Sequence, residues 1–464
     1  MAQQPLCGAL ILAAGKGTRM RSAAPKVMQP LLEEPILYYV LQAVQNAGIT
    51  DIAVVIGHGG EQVQEWLSKN APQVTVVWQR EQLGTGHAVM SAADWIKTQK
   101  SVLVVNGDMP MLTSTDIASF LQQSDGAQIS FMTCDLDDPA QYGRVIRTKN
   151  SVAIVEAKDA TQSQLAVKEI NVGVYRFEAE VLTKGLSLLK NENSQKEYYI
   201  VDMISWGCAC GIHVMPVKMS SENLDGVNNP IELASLSVKM RDRVVAYWLE
   251  RGLKCVDPHS VWVSPRAMFK GEALLYPNVQ IWGSSEIGEN CVIHSGTIIR
   301  DSVLKKGVQC LGYVVAERIT AEDGVKMGPF CYLRDGAYFE ESSFAGKFVE
   351  IKNSRIGKKT KVPHLSYIGD AVVGEETNIG AATVTCNYDG VNKNQTRIGS
   401  HCFIGSDTMF VAPVNIGDNA VVGAGSVITK DVPHGALAVA RGRQVVVEDW
   451  SRKKKSGQNK NMEA

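Results

Sequence analysis

Ile398-Gly399-Ser400-His401-Cys402-Phe403-Ile404-Gly405-Ser406-Asp407-Thr408-Met409-Phe410-Val411-Ala412-Pro413-Val414-Asn415-Ile416-Gly417-Asp418-Asn419-Ala420-Val421-Val422-Gly423-Ala424-Gly425-Ser426-Val427-Ile428 carries an apolar residue at every sixth position: Ile398, Ile404, Phe410, Ile416, Val422 and Ile428. Glycine follows four of them, at Gly399, Gly405, Gly417 and Gly423. A helix face repeats every 3.6 residues and a two-faced strand every second residue, so a period of six fits neither. It is the period of a parallel β-helix, in which three six-residue segments close a triangular coil with apolar residues inward and small residues at the corners. The same beat runs upstream through Ile287-Gly288, Ile293 and Ile299, and through Ile356-Gly357, Val362 and Ile368-Gly369. After a one-residue slip it resumes at Val373-Gly374 and Ile379-Gly380. At about 18 residues per coil, residues 253 to 440 hold about ten coils. The rhythm breaks at Thr383 to Arg397, which predicts a loop expelled from the solenoid around Cys386-Asn387-Tyr388-Asp389-Gly390, a kind of place that often carries function.

Residues 1 to about 227 follow a different pattern. Ala53-Val54-Val55-Ile56, Val74-Thr75-Val76-Val77 and Val102-Leu103-Val104-Val105 are short apolar runs, as expected of strands buried on both faces. Helical patterns lie between them, at Ile36 to Ala47 and Glu61 to Ser68. The alternation predicts a mainly parallel sheet with helices on both sides and ligands at the carboxyl ends of the strands. Two loops occupy such positions: the one after the apolar run Ala9 to Ala14, and Asn106-Gly107-Asp108. Between the halves, Pro230 to Gly252 reads as one helix, either a connecting arm or the last helix of the first domain, with Gly252 as its stop. The expected organisation is therefore 1–229, a linker helix 230–252, and 253–464.

The first loop reads Leu12-Ala13-Ala14-Gly15-Lys16-Gly17-Thr18-Arg19-Met20, followed by Pro25-Lys26. Gly15 and Gly17 let backbone N–H groups approach an anion, and Arg19 and Lys26 supply the positive charge a triphosphate needs. The string is not a Walker A loop and lacks the third glycine of the dinucleotide fingerprint. It resembles the signature of sugar nucleotidyltransferases, which join a sugar 1-phosphate to a nucleoside triphosphate. Asp108, ending a buried run behind Gly107, suits a Mg²⁺ carboxylate ligand, although an Asp in a turn is common.

A formal net charge of -1 across 464 residues argues against nucleic acid as a main partner. The one basic cluster, Arg452-Lys453-Lys454-Lys455, reads as a solvated tail or a contact to an anionic ligand of a neighbouring subunit. Ten cysteines form no dense disulfide pattern, Cys208-x-Cys210 has the wrong spacing for a zinc ribbon, and reduced thiols in a cytosol fit best. The N-terminus has no basic start, and no segment approaches the ~18 apolar residues of a membrane span. The expectation is a cytoplasmic protein with no membrane partner.

The hexads resemble the left-handed β-helix of hexapeptide-repeat acyltransferases, and the left hand is implied by that resemblance. From about residue 6 to 445 the chain resembles the family of bifunctional enzymes that make UDP-N-acetylglucosamine, with an N-terminal uridylyltransferase and a C-terminal acetyltransferase. The motifs that carry this are Gln79, Gln82-Leu83-Gly84-Thr85-Gly86-His87-Ala88, Tyr142-Gly143-Arg144, Val155-Glu156-Ala157-Lys158-Asp159, Glu169-Ile170-Asn171-Val172-Gly173 and Gly226-Val227-Asn228-Asn229, in that order. The fold implied is an α/β nucleotidyltransferase domain with a Rossmann-like mixed sheet, followed by a left-handed parallel β-helix.

The resemblance implies that Leu12, Ala13, Ala14, Gly15, Lys26, Asn106 and Gly107 line the UDP-N-acetylglucosamine site. Gln79, Gly84 and Thr85 would contact uracil and ribose, and Gly143, Glu156 and Asn171 the sugar with its N-acetyl group. Asn228 would join Asp108 at one or two Mg²⁺ ions, with Arg19 and Lys26 as catalytic cations. Asn106 departs from the family, which often has Tyr there. Tyr142 and Arg144 equally fit packing or a salt bridge and are not placed in the site.

His364 stands in Lys361-Val362-Pro363-His364-Leu365-Ser366-Tyr367. An amine acetyltransferase must remove a proton from the attacking nitrogen, and His is the natural base near neutral pH. A lone His beside Pro is more often structural; the match to the family's His-Leu-Ser-Tyr favours the base. By resemblance, Arg334 and Lys352 would grip the phosphate of glucosamine 1-phosphate, and Tyr367, Asn378, Asn387 and Tyr388 would surround the amine and the acetyl carbonyl. Ala381, Asn387, Tyr388, Ser406, Ala424 and Arg441 would line the acetyl-CoA groove. The family's Arg-Pro-Gly is Arg334-Asp335-Gly336 here, so an added carboxylate is expected to weaken Arg334 as a phosphate ligand. A homotrimer with sites between subunits is implied, with UTP, acetyl-CoA and glucosamine 1-phosphate as small-molecule partners. The competing class is a non-catalytic nucleotidyltransferase-like regulatory subunit with a structural β-helix. Retention of Gly15, Gly17, Arg19, Lys26 and Asp108 argues against it. A zinc β-helix enzyme would need clustered His ligands, and His294, His364, His401 and His434 lack such spacing.

Overall fold

The computed structural model describes residues 7–148 and 151–452. Lys453, Lys454 and Lys455 of the basic cluster lie outside the described residues. The chain divides into two compact units, Met1–Arg241 and Asp242–Ala464. The boundary falls inside the helix Pro230–Leu249, which ends before Gly252 in a positive-φ conformation. Its last turns, with Val244, Val245, Trp248 and Leu249, pack on the core of the second unit. The helix is thus shared: its first half falls in the first unit and its last turns pack with the second. Among the described residues no helix is long and apolar enough to cross a membrane.

The first unit is built on β1 (Cys7–Ala13), β2 (Ile52–Ile56), β3 (Thr75–Trp78), β4 (Ser101–Asn106), β5 (Ile129–Asp135), β6 (Arg144–Arg147), β7 (Val152–Val155), β8 (Glu169–Glu178) and β9 (Val214–Lys218). The main sheet runs β9-β5-β8-β4-β1-β2-β3. Strand β8 is antiparallel to both β4 and β5, and the other pairings along this path are parallel. Strands β1, β2 and β4 are buried, and helices such as Ile36–Asn46 and Gly60–Asn70 cover the sheet. Strand β3 departs from the expectation of burial on both faces. It is the edge strand, and its residues are exposed or half-buried.

The second unit is a left-handed parallel β-helix whose three sheets of 11, 10 and 9 strands are parallel throughout. Residues one coil apart are mostly in register at separations of 17 or 18, as in Trp262 with Gln280 and Phe344 with Lys361, rising to 25 across the expelled loop and falling to 16 at Val421 with Leu437. Ile398, Ile404, Phe410, Ile416, Val422 and Ile428 are all at most 4% exposed. Each such side chain contributes on the order of 1.5–3 kcal/mol by leaving water. The hexad glycines have a steric cause, because each coil lies directly on the next. A Cβ on Gly405 would stand 2.4 Å from the Ala424 nitrogen, and one on Gly357 would stand 2.4 Å from the Gly374 carbonyl carbon. The expelled loop is shorter than the rhythm indicated. Val384–Cys386 and Thr396–Ile398 are strands of the solenoid, so only 387–395 leaves it, and Ala371 pairs with Thr396.

Candidate active sites

In the first unit the carboxyl ends of the adjacent parallel strands β1 and β4 bring the two predicted loops together, the position where open α/β sheets bind ligands. The Gly107 N–H donates to the Leu12 carbonyl at 2.9 Å. A Cβ there would meet the same oxygen at 2.8 Å, so glycine lets Asp108 come up against the first loop. Gly17 is left-handed (φ 56), and a Cβ on it would stand 2.7 Å from Lys26 Cβ, whereas Gly15 borders open space.

The Lys26 ammonium forms an ion pair with Asp108 and donates to Asn228 Oδ1 at 3.1 Å. Arg19 Nη2 donates to the same oxygen at 3.2 Å. The Asn228 segment is itself held: the Asn228 N–H donates to Glu232 Oε2 at 2.7 Å, and the Val227 N–H donates to the Asp108 carbonyl at 2.9 Å. These contacts draw residues about 200 positions apart in sequence to one point.

Beside that point lies a cavity of about 270 Å³. Arg19, Thr85, Asn106, Asp108, Gly143, Glu156, Asn171 and Asn228 line it, all of them expected from the sequence. Asn171 is fixed by its N–H to the Gly143 carbonyl at 2.8 Å and by its amide to Tyr175 Oη at 2.7 Å. A register shift in β8 between Asn171 and Tyr175, with Gly173 at φ 89, makes room for the Asn106 side chain. Burial, then the carboxylates of Asp159 and Asp202, hold Glu156 above the usual glutamate range.

Gln79, Gly84, Leu12, Ala13, Ala14, Gly15, Lys26 and Gly107 do not line this cavity, although Lys26 and Gly107 stand beside it through Asp108. Gln79 is buried, with Nε2 donating to the Gly84 carbonyl at 3.1 Å and meeting His87 Nδ1 at 3.1 Å. Those two residues form a separate turn leading to Thr85, while Ala13 and Ala14 are buried at the end of β1. Tyr142, excluded at the sequence level, does line the cavity, and its hydroxyl accepts from the Gly226 N–H at 3.2 Å. Its place in the Tyr-Gly-Arg motif was the available signal. Arg144 is structural: its buried guanidinium binds the carbonyls of Tyr142, Ala140, Pro139 and Leu165 rather than a carboxylate.

In the second unit the candidate residues fall into two groups. Arg334 and Lys352 are in register on adjacent strands, and Tyr367 and Asn387 are linked by a 3.5 Å amide-to-hydroxyl contact. Asn387 Nδ2 donates to Asp370 at 2.5 Å, pinning the start of the expelled loop to the solenoid. Lys393, on that loop, was missed. Its only sequence signal was its position in the out-of-rhythm stretch. It stands against Lys352; this contact, then loss of solvation, lowers the Lys352 pKa below the ordinary lysine value. The Asp335 carboxylate pairs first with Arg318, and that contact, with the more distant Arg334 and Lys352 charges, holds its pKa low; the direct ion-pair partner of Arg334 is Glu350 at 3.0 Å.

The other group is a corner. Leu365, Ala382, Asp407 and Gly425 are all left-handed (φ 46, 59, 57 and 72), and the residues just before them are His364, Ala381, Ser406 and Ala424. The Asp407 N–H donates to the Ala381 carbonyl at 2.7 Å, the Gly425 N–H to the Ser406 carbonyl at 2.8 Å, and Arg441 Nη1 to the Ala424 carbonyl at 2.8 Å. His364 thus heads the column Ala381, Ser406, Ala424, Arg441. Asn378 is half-buried on the strand paired with Lys361, and Tyr388 is exposed on the loop.

Residues 9–168 match the MobA-like NTP transferase domain, and residues 395–430 match the hexapeptide repeat of succinyl-transferase. The chain therefore joins a nucleotidyltransferase to a hexapeptide-repeat transferase. It is 42% identical to the bifunctional protein GlmU of Heliobacterium modesticaldum, covering 97% of this chain and 98% of that one. It is 43% identical to the GlmU of Nitratidesulfovibrio vulgaris strain Miyazaki F (95% and 98%) and 42% to that of Carboxydothermus hydrogenoformans (95% and 99%). The chain belongs to the family of bifunctional GlmU proteins. It is an enzyme that acetylates glucosamine 1-phosphate and uridylylates N-acetylglucosamine 1-phosphate; its family implies nucleotide and acetyl-CoA substrates and a divalent metal, and a non-catalytic regulatory subunit is not favoured.

Proposed function

We propose that the Asp108 cavity is the uridylyl-transfer site and the His364 corner the acetyl-transfer site, used in the order acetylation then uridylylation. The observation that carries the first assignment is the meeting of Arg19, Lys26, Asp108 and Asn228 at one point. Asp108 and Asn228 offer one anionic and one neutral hard oxygen to a place where a cation, the Lys26 ammonium, already sits. That donor set fits Mg²⁺, which takes one or two protein oxygens and leaves the rest to phosphate and water. Bound there, one or two Mg²⁺ would neutralise charge developing on the phosphates. Arg19 and Lys26 orient and offset the charge of the triphosphate, while Glu156, Asn171 and Gly143 hold the sugar so that its phosphate faces the α-phosphorus. A phosphate oxygen of the sugar forms the new bond to that phosphorus as pyrophosphate leaves.

At the second site Arg334, Lys352 and Lys393 provide the positive charge for the sugar phosphate. The glucosamine nitrogen attacks the thioester carbon while His364 takes its proton, and the coenzyme A thiolate leaves. Arg441 suits the phosphates of the acetyl donor. Three copies of the chain are inferred. Tyr313, Phe330, Phe348 and Leu365 form an apolar column ending beside His364, with the aromatic rings parallel at 5.1 and 5.5 Å and Phe348 60% exposed. A neighbouring copy would cover that surface, and sedimentation equilibrium is expected to give three chain masses. All ten cysteines are unpaired, which suits the cytoplasm.

Mass-spectrometric product analysis tests the whole reading. With glucosamine 1-phosphate, acetyl-CoA, UTP and Mg²⁺, UDP-N-acetylglucosamine is expected only in the complete mixture, and N-acetylglucosamine 1-phosphate when UTP is omitted. Uridylylation without any acetylation would remove the second assignment.

Glu156 gives a pH-dependent test of the sugar subsite. Its raised pKa means that the folded chain holds the proton more tightly than the unfolded one. The associated stability is full below about 4.5 and is lost as pH rises through the folded value. Glu156→Gln is therefore expected to raise the melting temperature of the first unit at neutral pH, with the gain vanishing below about pH 4.5. The KM for N-acetylglucosamine 1-phosphate is expected to rise about tenfold. Calorimetry across pH, with steady-state kinetics, measures both.

A further inference from the structure

We propose that Lys26 holds the place of the divalent cation in the free enzyme, so that metal enters only as the lysine is moved off by an arriving phosphate. The inference rests on the reading that Asp108 and Asn228 are the metal ligands. Both oxygens already face the same ammonium: Asp108 in an ion pair with Lys26, and Asn228 Oδ1 at 3.1 Å from Lys26 Nζ and 3.2 Å from Arg19 Nη2. A divalent ion cannot share that point with a lysine cation, because like charges in contact repel strongly in a partly buried site.

The main chain behind both ligands is held: the Asn228 N–H donates to Glu232 Oε2 at 2.7 Å, and the Asp108 carbonyl accepts from the Val227 N–H at 2.9 Å. With short Asp and Asn side chains on a held backbone, the part free to move is the lysine, a cation on a flexible four-carbon stem that the incoming metal repels. Its stem leans on Gly17, within the loop whose Gly15 borders open space. One ammonium therefore lies within reach of both the metal ligands and the loop assigned to the phosphates. A nucleotide phosphate in that loop gives Lys26 a second anion, and its departure frees Asp108 and Asn228. The free enzyme accordingly binds metal weakly, and nucleotide strengthens metal binding through differential affinity for the two lysine positions.

The test is titration of the full-length enzyme with Mn²⁺ alone, followed by the electron paramagnetic resonance of unbound Mn²⁺. Wild type, Lys26→Met, Lys26→Gln, Asp108→Asn and Lys26→Met with Asp108→Asn are compared, and circular dichroism with the melting transition of the first unit reports that each variant is folded. Both Lys26 variants are expected to bind Mn²⁺ about tenfold more tightly than wild type, and Asp108→Asn is expected to abolish that gain. Unchanged or weaker binding in the Lys26 variants, with binding still dependent on Asp108, overturns the displacement and leaves the metal site standing. Binding indifferent to Asp108 in both backgrounds overturns the metal-site reading and the inference with it.

Discussion

His364→Ala is expected to lower acetyl transfer by about 10²–10⁴-fold while leaving uridylyl transfer at the wild-type rate. The amine of glucosamine 1-phosphate becomes a good leaving-group-displacing nucleophile only as its proton departs, and a neutral imidazole is the group suited to take it near pH 7. The geometry supports the assignment. His364 is exposed at a solenoid corner, and Ala381, Ser406, Ala424 and Arg441 follow it up the same corner on successive coils. An acyl donor lying along that column would present its thioester end to the imidazole. Coenzyme A thiol release measures one activity and pyrophosphate release the other. A general-base role also predicts that the variant's rate climbs with pH as more free amine becomes available, whereas a purely structural loss would not recover. If the folded variant lost both activities, the separation into two sites would be wrong.

The period of six could be read without a structure because stacked coils impose it twice. The apolar residue must point inward, and the corner residue must leave room for the backbone of the next coil, as the 2.4 Å approach at Gly405 shows. Strand direction was less legible. An apolar run such as Val172 to Phe177 does not reveal that β8 is antiparallel to its neighbours, and Thr75–Trp78 reads as a buried strand although the topology leaves it at the edge. Among candidate site residues, motif order pointed to Glu156, Asn171 and Asn228 and the end of a buried run to Asp108, and all four line one cavity. Contacts made through space were harder. Lys393 meets Lys352 only because a loop folds back, and Asp335 forms its ion pair with Arg318 from the preceding coil. Register at 17 residues decides the second contact, which adjacency in sequence does not reveal.

Asp108→Ala should show the reciprocal pattern, with uridylyl transfer reduced about 10³-fold and acetyl transfer unchanged. The magnitude follows from the several kcal/mol of charge stabilisation that a bound metal supplies, at about 1.4 kcal/mol per tenfold in rate. Loss of the carboxylate has a second consequence in this site, since Lys26 loses its anionic partner and keeps only Asn228 Oδ1. Two cations, Lys26 and Arg19, then lean on one neutral oxygen, which favours binding of the anionic nucleotide even as turnover falls. The variant is therefore expected to show a large loss in kcat with a smaller change in KM for UTP. Asp108→Asn separates the two effects, because it keeps one oxygen at the same place without the charge. Its rate should recover partly at raised Mg²⁺, whereas Asp108→Ala should stay low at every Mg²⁺ concentration. Pyrophosphate release across a Mg²⁺ titration makes the comparison, with coenzyme A release reporting the second site and circular dichroism the folding of the first unit. A folded Asp108→Ala enzyme with near-normal uridylyl transfer would show that the metal is held elsewhere.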